Sequence, residues 1–232
     1  VSDLVVAVVG ASGALGSRVA ARLLDRGDTV VGTARSTASL DDRYTTTAPG
    51  RWWTCPLDLR NPAAGDALVD LVHAGPGHLD AVVVASGVVA FGDLASTPDD
   101  VLEELFVTNV LGPLWLLRRL VPLLAERQGV VVQLSAVVAE QPLPGMAAYS
   151  ASKAGLSAAG AALTRELRRR RIRVVDVRPP HTETGLADRA IAGDAPRLPV
   201  GLDPDRVAER IVAALDDPGT TELPSDSFAD PD

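Results

Sequence analysis

Leu4-Val5-Val6-Ala7-Val8-Val9-Gly10-Ala11-Ser12-Gly13-Ala14-Leu15-Gly16 is the stretch whose reading decides the fold. An aliphatic run leads directly into a turn with glycines at 10, 13 and 16, and Ser17 to Arg26 then follows with helical periodicity. Strand, glycine turn and helix together form the context in which such a turn carries meaning. Glycine lets the backbone approach a pyrophosphate closely, while a helix amino terminus offers free N–H groups and the positive end of its dipole. A nucleotide site is therefore predicted around Gly10, Ser12, Gly13, Leu15 and Gly16.

Outward from that turn, strands and helices alternate. Asp28 to Thr33 reads as a second strand ending at Ala34-Arg35-Ser36. An acid at the end of this strand would bond the ribose hydroxyls of NAD, whereas an arginine can pair with the additional phosphate of NADP. Arg35 occupies the position, so NADP(H) is the expected cofactor. Tyr44 to Gly50 reads as polar loop and Arg51 to Leu57 as a third strand closed by Asp58-Leu59. Asp58 can reach the adenine end of a dinucleotide or cap the helix that begins near Pro62. Leu79 to Ala85 is a buried strand running into Ser86-Gly87, and Thr97-Pro98 opens the next helix. That helix contains Asn109, with Pro113 four residues on. Proline has no N–H for the Asn109 carbonyl, which predicts either a seat for a water or a simple kink.

Gly129 to Leu134 is the fifth strand, delivering Ser135-Ala136. A long helix from about Ala147 to Arg170 carries Tyr149 and Lys153 on one face, since residues four apart are neighbours there. Lys153 is the only lysine in the chain; the other basic residues are arginines. An ammonium is a compact charge whose pKa shifts readily on desolvation, and a nearby cation favours the phenolate of a tyrosine. Ser150-x-x-Lys153 also fits the start of a serine hydrolase, but the Lys-Thr-Gly and Ser-Asp-Asn partners are absent from the sequence. The arginines at 168–171 complement the helix dipole at its carboxyl end. Ile172 to Val177 is the sixth strand, residues 185–202 read as a mobile substrate lid, and Asp203 to Leu215 as the last helix. A short edge strand at Thr221 to Leu223 precedes a tail, 224–232, expected to fray. The alternation predicts one doubly wound α/β domain over 1–232, a Rossmann-like parallel sheet with helices on both faces.

Composition agrees with that class. Of 232 residues 47% are hydrophobic but only 3% aromatic, so the core is built from Val, Leu and Ala, as parallel strands covered on both faces require. The net charge of -8 and a pI near 4.9 argue against nucleic acid or an anionic membrane as partner. One cysteine, Cys55, excludes an internal disulfide, and three scattered histidines suggest no metal site. No stretch approaches the roughly 18 apolar residues of a membrane span, and a cytoplasmic location is the default expectation.

The chain resembles the short-chain dehydrogenase/reductase family over essentially its whole length. The resemblance is carried, in order, by the turn at Gly10 to Gly16, Asp58 after the third strand, Asn109-Val110 with Gly112, Tyr149-x-x-x-Lys153, and Pro179 leading to Thr184. It implies that Tyr149 exchanges a proton with the substrate oxygen. It also implies that Lys153 lowers the phenol's pKa and holds the nicotinamide ribose, and that Asn109 anchors a water in a proton relay. Asp58, Leu59, Ala85 and Gly87 would line the cofactor, with Pro179, Thr182 and Thr184 at its carboxamide end. The implied reaction is hydride transfer between NADP(H) and a small carbonyl or alcohol, in a homo-dimer or homo-tetramer.

The chain also departs from the family pattern. The substrate-binding serine usually found thirteen residues before the tyrosine is Ala136 here. Ser135 is adjacent, but neighbouring side chains on a strand point to opposite faces; it joins the catalytic set only if the strand has ended or bulged. Val9 stands where a threonine is common, Ala85-Ser86-Gly87 replaces Asn-Asn-Ala-Gly, and Pro180 replaces the glycine after Pro179. Two alternatives stay open beside the oxidoreductase: an NADP(H)-binding regulatory or redox-sensing protein, and a non-redox dehydratase or isomerase using Tyr149 as acid-base.

Overall fold

The computed structural model describes residues 3–41 and 50–229. Val5–Val9 forms β1 and is buried at every position, the signature of a strand covered on both faces. The remaining strands are β2 (Thr29–Ala34), β3 (Arg51–Pro56), β4 (Ala81–Val84), β5 (Val130–Leu134), β6 (Arg173–Val177) and β7 (Glu222–Leu223). They form one parallel sheet in the order β3-β2-β1-β4-β5-β6-β7. The helices are α1 (Ala14–Arg26), α2 (Ala38–Asp41), α3 (Ala64–Ala74), α4 (Asp99–Phe106), α5 (Gly112–Arg127), α6 (Ala147–Glu166) and α7 (Pro204–Asp216).

The period of two along β1 divides the core. Val6 and Val8 pack with Val19 and Leu23 of α1 and with Val207 and Ile211 of α7. Val5, Ala7 and Val9 face the other layer, where Leu68 of α3 and Leu116 and Leu120 of α5 cover the sheet. After β3 at one edge the chain returns to place β4 beside β1. The connections therefore diverge between β1 and β4, and a crevice opens at their carboxyl ends, the usual binding place in such sheets.

The expected doubly wound parallel sheet is thus the observed fold, and most boundaries agree within the margin of helix and strand assignment. Three differences have physical causes. Val107–Leu111 forms a π-helical turn, with the Gly112 N–H bonded to the Val107 carbonyl five residues back; this widened turn leads into α5, where Pro113 has no N–H to give. The long helix gives way after Glu166 to a 3₁₀ turn, Leu167–Arg170, and Arg171 is left-handed at φ 57°. Residues 224–229, expected within a frayed tail, are docked instead. Phe228 is 1% exposed in the core, and Ser225 bonds to Glu140. Residues 230–232 and most of the expected polar loop at 44–50 lie outside the described residues. Among the described residues, no helix is long and apolar enough to cross a membrane.

Candidate active site

A cleft of about 500 Å³ follows the carboxyl ends of the strands from the Gly10 turn to Tyr149. At its first end, the N–H groups of Gly10 and Ala11 both donate to the Thr33 carbonyl, at 3.0 and 2.9 Å, and Gly13 N donates to Gly10 O at 2.9 Å. Gly10 has φ +85°, and a Cβ there would overlap the Ser86 hydroxyl; one on Gly16 would overlap the Gly10 carbonyl. The turn can close only with glycines at these positions. It delivers Ser12, Gly13, Ala14 and Leu15 to the cleft wall, beside the amino terminus of α1, whose first N–H groups have no intrahelical acceptors.

Arg35 follows β2, lines the cleft and is exposed. Asp58 and Leu59 follow β3. The Asp58 carboxylate is clasped by Arg60, with Nη2 to Oδ2 at 2.6 Å and Nε to Oδ1 at 3.0 Å. Arg60 first, and the charge of Arg35 last, hold that carboxyl below its ordinary value. Asp58 does not cap α3, whose N-cap residue is Ala63. Leu59 is buried, and its carbonyl lies where a Cβ on Gly112 would sit, so the glycine allows the turn before α5 to pack there.

At the other end, Asn109 is 1% exposed and fully engaged. Its Nδ2 donates to the Val88 carbonyl at 2.9 Å and to Ser152 Oγ at 3.0 Å, and its Oδ1 accepts from Val88 N at 2.9 Å. Ser152 Oγ in turn donates to the Tyr149 carbonyl at 2.8 Å. The asparagine side chain thereby ties the loop after β4 to the helix that carries Tyr149 and Lys153. Gly87 passes between: a Cβ there would lie 3.2 Å from both Asn109 Oδ1 and Lys153 Nζ. Ala85 and Gly87 both line the cleft.

Lys153 is buried and donates to the Leu134 carbonyl at 2.9 Å; its Nζ is 6.0 Å from the centroid of the Tyr149 ring. Burial pushes the ammonium down to about 8, against a smaller opposing effect of the Asp176 carboxylate. Burial also pushes the Tyr149 phenol up. The pairing of residues 149 and 153 implies the opposite sign for the phenol. Here the ammonium bonds a carbonyl, while the ring packs with Phe91, Val138 and Met146, and desolvation of the phenolate outweighs the attraction.

Ser135 is buried, lines the cleft and follows the end of β5 at Leu134. Its hydroxyl donates to Asp176 Oδ1 at 2.7 Å, within a cluster where Asp176 also accepts from Gln133 Nε2 at 3.1 Å, Ser157 Oγ at 2.6 Å and Arg178 Nη1 at 2.8 Å. Ala136, in extended conformation, also lines the cleft and packs against the group of apolar residues containing Tyr149.

Pro179, Thr182 and Thr184 line the cleft. Pro179 O accepts from Val137 N at 3.1 Å, the Thr182 hydroxyl donates to Pro180 O at 2.9 Å, and Thr184 Oγ1 accepts from Leu186 N at 3.3 Å. Residues 185–202 cover the apolar end. Ile191 N donates to Val89 O and Phe91 N to Ala192 O, both at 2.9 Å, which fastens this segment to the loop after β4. Arg60 and His181 also line the cleft and escaped the sequence reading, as did the Asp176 cluster. Asp176 had a visible signal, a single acid inside the aliphatic run Val174-Val175-Asp176-Val177; His181 had none.

A family model described as short chain dehydrogenase matches residues 4–194. Dehydrogenase/reductase SDR family member 7B from Bos taurus is 29% identical over 231 residues, covering 93% of this chain and 71% of the relative. A short-chain dehydrogenase structure from Streptomyces avermitilis is 32% identical with a TM-score of 0.85, over 96% of this chain and 88% of that one. L-sorbose reductase from Gluconobacter frateurii, solved with NADPH and L-sorbose, shares the fold at a TM-score of 0.85 and 20% identity, over 97% of this chain and 95% of its own. The matched residues contain the glycine turn, Asn109, Tyr149 and Lys153 that build the cleft, and the chain belongs to the short-chain dehydrogenases, a family of oxidoreductases that transfer hydride.

Proposed function

We propose that the protein reduces a small carbonyl compound with NADP(H), with Tyr149 as the proton donor. The observation that carries this reading is the meeting of Tyr149, Lys153, Asn109 and Gly87 at the far end of a cleft that begins at the Gly10 turn. The residues fit a dinucleotide: Gly10 and Gly16 let the turn close on itself and set Ser12, Gly13 and Leu15 on the cleft wall, and Arg35 is exposed at the side where an added phosphate would distinguish NADP from NAD. Arg35, Arg60, Ser12 and Leu15 would hold the adenosine and phosphate portion; Gly87, Thr182 and Thr184 would hold the nicotinamide portion.

When bound, the nicotinamide supplies the hydride. Tyr149 gives its proton to the substrate oxygen, and the phenolate left behind is stabilised by the Lys153 ammonium, which the Leu134 carbonyl orients. Asn109 holds the Val88 loop and α6 in register and thereby positions the pair.

Tyr149→Phe should abolish carbonyl-dependent NADPH oxidation while leaving NADPH affinity within about twofold; equal turnover in the variant would overturn the assignment. Ala136 favours a second reading, a cofactor-binding sensor, because it removes a donor whose loss costs about 10² to 10³ in rate in comparable sites. Carbonyl-dependent oxidation of NADPH that requires Tyr149 would exclude the sensor, and substrate conversion without nicotinamide turnover would instead select the dehydratase or isomerase.

A further inference from the structure

The cleft divides chemically. Arg35, Asp58, Arg60 and Glu104 gather on the side of β2 and β3. The wall around Tyr149 is apolar, built from Val88, Phe91, Val138, Met146 and Leu186. These residues form an apolar group of their own, separate from the two that cover the faces of the sheet. It surrounds the one group proposed to touch substrate. The apolar character continues outward. Leu143 on the cleft wall is 46% exposed.

The ionisable groups on this side each have a contact within the chain, while the Arg189 guanidinium stays exposed and charged. Arg189 donates from Nε to Gly185 O and from Nη2 to Thr184 O, each at 3.1 Å. His181 Nε2 lies 3.5 Å from Glu183 Oε1, and Lys153 is bonded to Leu134 O beneath the phenol. Ala136 adds no donor. A carboxylate or a row of hydroxyls brought among the apolar side chains around Tyr149 would lose its hydration there, and an unpaired polar or charged group in such surroundings is strongly disfavoured. An alkyl or aryl group would instead exchange water for aliphatic contact.

We propose that the substrate of this site is an uncharged ketone with apolar groups on both sides of its carbonyl, and that anionic and polyhydroxylated carbonyl compounds are rejected. This rests on Tyr149 as the proton donor, and the experiment separates the two claims by reading binding and turnover independently. Propiophenone, its para-carboxylate and fructose are titrated calorimetrically into protein saturated with NADP⁺, and each is then assayed with NADPH. Propiophenone is expected to bind at least tenfold more tightly than its carboxylate and to be reduced with a kcat/KM at least 100-fold higher, with fructose inert. Equal or better binding of the carboxylate or the ketose, or no binding of propiophenone, overturns the apolar assignment. Binding of propiophenone without any reduction leaves that assignment standing and overturns the reductase reading. Leu143→Arg, at an exposed rim position, should narrow the neutral-to-anionic binding ratio at least tenfold; an unchanged ratio counts against the proposal.

Discussion

The hydroxyl of Ser135 donates to the carboxylate of Asp176 across 2.7 Å, with both residues buried. The serine nearest to the expected catalytic position thus spends its proton on a neighbouring strand. Ser135→Ala removes one of the donors to a buried carboxylate and should cost about 1 to 3 kcal/mol of stability, while kcat changes less than about threefold. Urea unfolding and steady-state assays check this; a hundredfold fall in kcat at unchanged stability would put Ser135 into the chemistry.

Ala136 sits beside the residues packed around Tyr149, where a hydroxyl would meet the substrate oxygen. Ala136→Ser should raise kcat/KM for a carbonyl substrate by about 10- to 100-fold, within the range ascribed to a single oxyanion donor. Progress curves with NADPH at subsaturating ketone measure it, and no gain would mean that the chain obtains its oxyanion stabilisation elsewhere.

Lys153 gives the stability a pH signature. Its native value of about 8 lies below the ordinary lysine value of about 10.4. Between these two values the unfolded chain binds a proton that the native chain does not, so stability rises with pH through that window. Tyr149, pushed up by burial, acts oppositely above its ordinary value of about 10, where the unfolded phenol ionises first and stability falls. Lys153→Met should abolish the rise between about pH 8 and 10, as read by thermal unfolding of the free protein. Asp176→Asn, which withdraws the charge that favours the ammonium, should move the start of the rise to lower pH.

Arg35 is exposed and lines the cleft close enough to Asp58 to lower its carboxyl. Arg35→Asp should weaken NADPH by about 10- to 100-fold, the scale of a charge-assisted hydrogen bond to phosphate, and change NADH less than threefold. Fluorescence titration with both nucleotides tests the difference; equal losses would mean that Arg35 does not read the phosphate.

Gly16→Ala places a methyl group against the Gly10 carbonyl, with backbone on both sides of the clash. It should reduce affinity for either nucleotide at least tenfold and lower the melting temperature, whereas Gly77→Ala, in open space but at positive φ, should affect stability alone.

Periodicity and glycine spacing made the sheet and the turn legible, because burial on both faces leaves uninterrupted runs such as Val5–Val9 and because Gly16 has no alternative at its contact. Tyr149 and Lys153 were legible as a pair through helical spacing. Their electrostatics were not: the sign of the phenol's shift depends on Phe91, Val138 and Met146, which come from other segments. The same applies to Ser135, whose partner Asp176 is 41 residues away. β5 ends at Leu134, so its alternation does not extend to Ser135 and Ala136. The docking of Phe228 could not be read locally, since an aromatic residue in an acidic tail gives no indication of the surface it meets.

The two backbone hydrogen bonds that join Val89 and Phe91 to Ile191 and Ala192 make a practical unit of segments far apart in the chain. A chimera that imports the 185–202 segment from a relative, without the matching 88–92 loop, would break both bonds and misplace its own side chains. Transplanting both together preserves the seam, so redesign of this enzyme's selectivity has to treat the pair as one exchangeable cassette.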